Sequence, residues 1–113
     1  MRRLVLVRHS KASHDAVTDL ERPLTSKGAA LAGLLAKELR KRLESTDLLV
    51  VSPAARARET ARPLRDRLEP ADTVVREEIY NLGPNGILQV LAEEGGDAST
   101  VVVVGHEPTI SVL

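Results

Sequence analysis

Arg8 and His9 stand side by side where an apolar run, Leu4 to Val7, stops. Arg56 lies shortly after a second such run, Leu48 to Val51, and His106 shortly after another, Val101 to Val104. A guanidinium is a planar fork that matches phosphate oxygens, and the start of a helix offers free N–H groups at a positive dipole end. Two arginines and two histidines gathered near helix starts describe a site for a small dianion, phosphate above all. A neutral imidazole is a competent nucleophile toward phosphorus, and flanking cations stabilise the equatorial oxygens during in-line transfer. The expectation is that Arg8 holds a phosphoryl group and His9 attacks it. Taken singly, either histidine reads as a structural residue at a strand end; joint placement with Arg8 and Arg56 reverses that reading.

These residues need a scaffold that brings strand ends together. The runs Leu4 to Val7, Leu48 to Val51, Thr73 to Val75 and Val101 to Val104 have the length and β-branched content of strands. Their apolarity is continuous rather than alternating, which predicts a sheet covered on both faces. Between the first two, Leu31, Leu34, Leu35, Leu39 and Leu43 recur at helical spacing, with Thr25 or Ser26 available as N-cap. This predicts a core-facing amphipathic helix. A second helix is expected after Pro53, kinked or ended by Pro63, and a third from about Pro84 to Glu94, closed by Gly95 and Gly96. Strands alternating with helices give an α/β fold with a mostly parallel sheet, in which ligands bind beyond the carboxyl ends of the strands. A last helix is expected to open at Pro108, and because the chain stops at Leu113 the reading expects a native continuation beyond it.

In that order, "LVRHS", "RPLTSKG", "VSPAARARET" and "VVGHEP" resemble the histidine phosphatase superfamily, in particular its short phosphohistidine phosphatases of the SixA type. The resemblance runs from Leu4 to Leu113. It implies one domain over residues 1–113, a three-layer α/β/α sandwich of the phosphoglycerate mutase-like kind. It implies that His9 is the phosphorylated nucleophile, that Arg8, Arg56 and His106 line the phosphate pocket, and that no metal or other cofactor is needed. Ser10 stands where many relatives have Gly. Larger relatives take a general acid from a carboxylate after the third strand, where this chain has Glu77 and Glu78; SixA-type members often lack one. A phosphoramidate whose imidazole is protonated departs more readily than an alkoxide. The segments between the motifs are filled by helix and strand, leaving none long enough for a lid domain. An uncovered site suits phosphohistidine on another protein, such as a phosphorelay or sugar-transport carrier. The alternatives are a small-molecule phosphomonoesterase or phosphomutase of the same superfamily, and a phosphate-binding module without turnover, for which a nucleophile would have no use.

Composition bounds the rest. The 113 residues suffice for one domain that buries roughly 65% of its unfolded surface. Sixteen basic and sixteen acidic residues leave no net field for nucleic acid, and the one aromatic, Tyr80, leaves almost nothing for bases to stack on. The absence of cysteine removes disulfides and thiolate chemistry and makes the cytoplasm the default compartment. Met1, Arg2 and Arg3 before "LVLV" are too short an approach to a signal peptide, and no stretch nears the ~20 apolar residues of a membrane span. "HEPTI" begins like H-E-x-x-H, but Ile110 holds the place of the second histidine. No glycine-rich nucleotide loop occurs, and Ser10 and Ser52 lack an esterase elbow. His14 and Lys11 read as solvated, Arg22 as a structural ion-pair partner, and Arg58, Arg62 and Arg65 as a solvated helix face.

Overall fold

The computed structural model describes residues 3–106. Four parallel strands, β1 (Arg3–Arg8), β2 (Leu48–Val51), β3 (Asp72–Val75) and β4 (Thr100–Gly105), form one sheet in the order β1-β4-β2-β3. The register pairs Val5 with Val102, Leu49 with Val102 and Val50 with Val74, so β4 lies between β1 and β2. Continuous apolarity in the central strands has the cause inferred from sequence, since successive residues enter opposite cores. Leu49, Val51, Val102 and Val104 pack under the helices α1 (Ser26–Arg42) and α2 (Ala55–Leu68). Leu48, Val50, Val101 and Val103 face α3 (Glu78–Asn81) and α4 (Gly83–Glu94). The result is the expected α/β/α sandwich.

Helix α1 starts where expected, with the Thr25 hydroxyl accepting the Gly28 N–H at 3.0 Å. Its buried face, however, is not the leucine stripe. Gly28, Ala32 and Ala36 are buried, whereas Leu31 and Leu34 are 46% and 63% exposed. Small side chains let α1 lie close to its neighbours, and a Cβ on Gly28 would collide with the Lys11 carbonyl oxygen. Leu35 and Leu39 pack at the core margin and Leu43 is buried.

Pro63 does not end α2, which continues to Leu68. Its ring removes one backbone bond, but Leu64 and Leu68 beyond it are buried on the same face as Ala57 and Ala61. Burying two leucines stabilises the last turn by about 3–6 kcal/mol, enough to offset a proline cost of about 3 kcal/mol. The helix closes at Glu69 in the left-handed region (φ 46°, ψ 58°). The short α3 was not anticipated; Gly83, with φ 61°, makes the tight joint between it and α4. Gly95 follows α4 in ordinary helical conformation (φ −70°), so no left-handed glycine closes that helix. The helix expected from Pro108 lies outside the described residues. No helix among those described is long and apolar enough to cross a membrane.

The close approach at Gly28 yields a paired test. Gly28→Ala is expected to destabilise the protein by about 1–3 kcal/mol through overpacking against backbone. Gly33→Ala, mid-helix with open space around it, is expected to stabilise by up to about 1 kcal/mol. Urea unfolding of both variants measures the difference, and equal effects would contradict the packing described.

Candidate active site

Parallel strands end on one edge of the sheet, and the order of the first three places their exits side by side. The His9 N–H bonds the Gly105 carbonyl at 3.0 Å, and the Ser52 N–H bonds the Val104 carbonyl at 3.1 Å. His9, His106 and Ser52 therefore leave adjacent strand ends. The His9 and His106 ring centroids are 5.2 Å apart.

His9 is oriented from behind. Its Nδ1 lies 2.7 Å from the Ser10 carbonyl oxygen. A carbonyl can only accept, so Nδ1 carries the proton and Nε2 keeps its lone pair. Ser10 is itself tied at two further atoms. Its N–H donates to Thr60 Oγ1 at 2.9 Å, and its hydroxyl donates to the Gly28 carbonyl at 2.6 Å. Thr60 is fully buried and passes its own proton to the Arg56 carbonyl at 2.8 Å. Partial burial lowers the His9 pKa, and the cations Arg56, Arg22 and Arg8 push it further down against the raising effect of the Ser10 bond. The imidazole is neutral at pH 7.

His106 is also held neutral, its pKa pushed down to about 4 by burial and then by Arg56 and His9. Its Nε2 meets the Ser52 hydroxyl at 2.6 Å, while its Nδ1 is buried with no partner among the described residues. The Ser52 oxygen also accepts the Ala54 N–H at 3.3 Å.

Arg56, in the first turn of α2, is only 6% exposed. Its Nη1 donates to the Asp19 carbonyl at 2.7 Å and its Nη2 to Asp19 Oδ2 at 2.9 Å, while its buried Nε has no partner. Asp19, on a single 3-10 turn (Asp19–Glu21), also accepts the Tyr80 hydroxyl at 2.6 Å and Arg22 Nη1 at 3.0 Å. Tyr80, Arg56 and Arg22 together hold its carboxyl well below the usual carboxylate range. Tyr80 stands edge-on to His106, ring centroids 5.5 Å apart, and its own pKa is raised by Asp19.

Of the residues singled out from sequence, His9, His106 and Arg56 are thus brought together. Arg8 is exposed and sits on the rim of a cavity of about 590 Å³ that it shares with His9, Lys11, Arg22 and Thr60. Arg22 is the ion-pair partner expected, but it also lines that cavity. Glu78 is engaged elsewhere, its two oxygens bonded to Arg76 at 3.1 and 2.8 Å and its pKa lowered by that contact. Arg76 also binds Glu93 at 2.7 Å and Glu94 at 2.9 Å. Glu77 is exposed and makes no side-chain hydrogen bond among the described residues. Sequence reasoning missed Asp19, Thr60 and the roles of Tyr80 and Ser52; only the nearness of Asp19 to Arg22 gave any signal.

The arrangement offers a lone pair on His9 Nε2, Arg56 N–H groups that Asp19 does not take, an imidazole beside them at His106, and three further cations, Arg8, Lys11 and Arg22, lining the cavity next to His9. Known proteins share this fold and sequence. Residues 4–82 match the model of the histidine phosphatase superfamily (branch 1). The phosphohistidine phosphatase SixA of Escherichia coli K12 is 33% identical over 113 residues, covering 96% of this chain and 69% of that protein. A Nakamurella multipartitia structure named for the SixA phosphohistidine phosphatases superposes with a TM-score of 0.89 at 41% identity, over 98% of this chain and 62% of the other. The protein histidine phosphatase SixA in complex with tungstate gives 0.77 at 33% identity, over 97% and 72%. The chain spans about two thirds of the length of the curated relatives it matches. On a matching stretch that carries Arg8, His9 and Arg56, and on the fold shared with these relatives, the chain belongs to the histidine phosphatase superfamily, branch 1.

Proposed function

We propose that this chain carries the catalytic core of a phosphatase acting on phosphohistidine borne by another protein. The observation that carries the reading is the His9–Ser10 hydrogen bond, which fixes the tautomer with a free lone pair on Nε2 of a neutral imidazole. In the first step that lone pair forms a bond to phosphorus while the P–N bond to the substrate imidazole breaks. The leaving ring, protonated at its other nitrogen, departs neutral, so no carboxylic acid is required; Glu78, fixed to Arg76, does not supply one. In the second step water attacks the phosphorus of phospho-His9, inorganic phosphate leaves, and Nε2 regains its lone pair.

Arg56 and Arg8 offset the charge on the equatorial oxygens. The Ser52 hydroxyl, which also accepts the Ala54 amide, bonds Nε2 of His106 and holds that ring beside His9. Asp19 holds one edge of the Arg56 guanidinium and leaves the remaining Nη protons for the substrate. Tungstate, a tetrahedral oxyanion, is bound by the SixA relative, and a site of two arginines and two histidines here suits the same shape. Relatives named as a phosphohistidine phosphatase and a protein histidine phosphatase support the reading of a protein-borne phosphohistidine as substrate.

Incubation with a radiolabelled phosphohistidine protein is expected to trap label that is acid-labile, alkali-stable and located on His9. His9→Ala should abolish both label and turnover, and full activity in that variant would rule the mechanism out. Arg56→Ala should lower kcat/KM by about 10²- to 10³-fold, as loss of a preorganised charge donor does.

The pKa shifts give a second test. A histidine whose pKa is lowered on folding stays neutral as pH falls below 6.5, so the nucleophile should survive mild acid. NMR titration of the ring protons is expected to place His106 near 4 and His9 below 6.5. A His9 midpoint above 6.5 would contradict the assigned environment.

A further inference from the structure

Arg58, Arg62 and Arg65 are spaced by four and three residues, so they share one face of α2. From sequence that face reads as solvated charge, and the structure places something beside it. The stripe overhangs a groove of about 410 Å³ between α2 and β3. The floor is apolar, formed by Leu49, Val51 and Ala61. Asp66 is the one acidic residue in the lining. Among the described residues none of the three arginines is ion-paired, nor are Arg3, Arg8, Arg40 and Arg67, whereas Arg22, Arg42, Arg56 and Arg76 are; what distinguishes the three is that they line one groove. The chain has no net charge, so this concentration of unpaired cations is not a sample of a basic surface.

The far wall of the groove is a sheet edge. β3 pairs only with β2 among the described strands. The Asp72 N–H bonds the Asp47 carbonyl and the Arg76 N–H bonds the Val51 carbonyl, both toward β2. By the alternation of a strand, Thr73 and Val75 turn their N–H and C=O groups outward. Val75 also presents an apolar side chain that is 53% exposed. Outward backbone groups, an apolar floor and a cationic wall are the three requirements for adding an extended acidic strand. Val51 and Val75 stand at the carboxyl ends of their strands, on the edge of the sheet from which His9 and His106 emerge. A chain seated in the groove therefore runs up to the rim of the site.

We infer that this groove docks an extended acidic segment of the phosphoprotein substrate, added as a strand to β3 with its carboxylates on Arg58, Arg62 and Arg65. The inference rests on the proposed function for the identity of the occupant, though binding in the groove does not. The occupant is protein rather than nucleic acid, because the groove lining contains no aromatic side chain for a base to stack on.

The test uses two synthetic phosphohistidine peptides, each joined by a Gly-Ser linker to a strand-forming tail, one alternating Val with Glu and one alternating Val with Ser. The enzyme variant is Arg62→Glu with Arg65→Glu. Arg58 is left in place because its Nε holds the Pro53 carbonyl at 2.9 Å, at the start of the helix that carries Arg56. The unaltered protein is expected to favour the acidic tail by about tenfold in kcat/KM at low salt, the sum of several exposed charge pairs, with the preference shrinking as salt is added. The double variant should lose that preference and keep its rate on the neutral-tail peptide. Equal rates on both peptides in the unaltered protein would overturn the docking groove while leaving the phosphatase reading intact. No turnover of either peptide would overturn the phosphatase reading instead. Fluorescence anisotropy with the unphosphorylated acidic peptide then decides the groove alone: binding lost in the variant supports it, and no binding overturns it. An oligonucleotide of equal charge that binds as tightly as the peptide would also overturn it.

Discussion

The bond from His9 Nδ1 to the Ser10 carbonyl decides which nitrogen can react, and Ser10 can make it only because its other polar atoms are already tied down. Its amide is held by Thr60 on α2 and its hydroxyl by the Gly28 carbonyl on α1. One residue thus fastens the end of β1 to both helices of one layer. Thr60 in turn grips the Arg56 carbonyl, so the loop carrying His9 and the helical turn carrying the buried cation share a hydroxyl. The spacing between the imidazole and the guanidinium is set by backbone and short side chains rather than by long flexible ones. Preorganisation of this kind lets charged donors act without reorganising during the reaction.

The electrostatics of the pocket follow from what surrounds that frame. A guanidinium as buried as that of Arg56 needs a partner, and Asp19 supplies it from a turn whose side chain stays 51% exposed. The partner is therefore reachable by solvent and by substrate, and it sits against Arg22 and Tyr80 as well. Asp19 is so strongly held in its ionised form that it takes no part in moving protons; it is a fixed negative charge. Both histidines stay neutral mainly through burial, and the nearby arginines reinforce the effect. The pocket thus sets guanidinium charge around uncharged imidazoles.

Much of this was legible in the chain. The central strands begin and end within a residue of the apolar runs, because a strand buried on both faces has no polar position to blur its limits. His9, Arg56 and His106 could be placed because each follows a strand by a residue or a few. The helices were harder. Leucine spacing pointed α1 at the core with Leu31 and Leu34, but the contact face is the row of Gly28, Ala32 and Ala36, whose value is close approach rather than apolar area. Pro63 carried a strong local signal that burial of Leu64 and Leu68 outweighed. Asp19 gave no periodic signal at all. A lone acid in a polar loop acquires its role only when Arg56, from 37 residues away in sequence, folds against it.

The ion cluster at the top of β3 has an effect beyond its own contacts. Arg76 gathers Glu78, Glu93 and Glu94, so one cation answers three anions on the layer formed by α3 and α4. Across the same strand, the α2 layer carries Arg58, Arg62 and Arg65. A molecule with no overall charge therefore has a marked dipole across one border of its sheet. Within a Debye length of about 8–10 Å, such a dipole exerts a torque on an approaching polyanion. It turns the visitor toward one side before any contact forms, a compass built from an otherwise balanced surface.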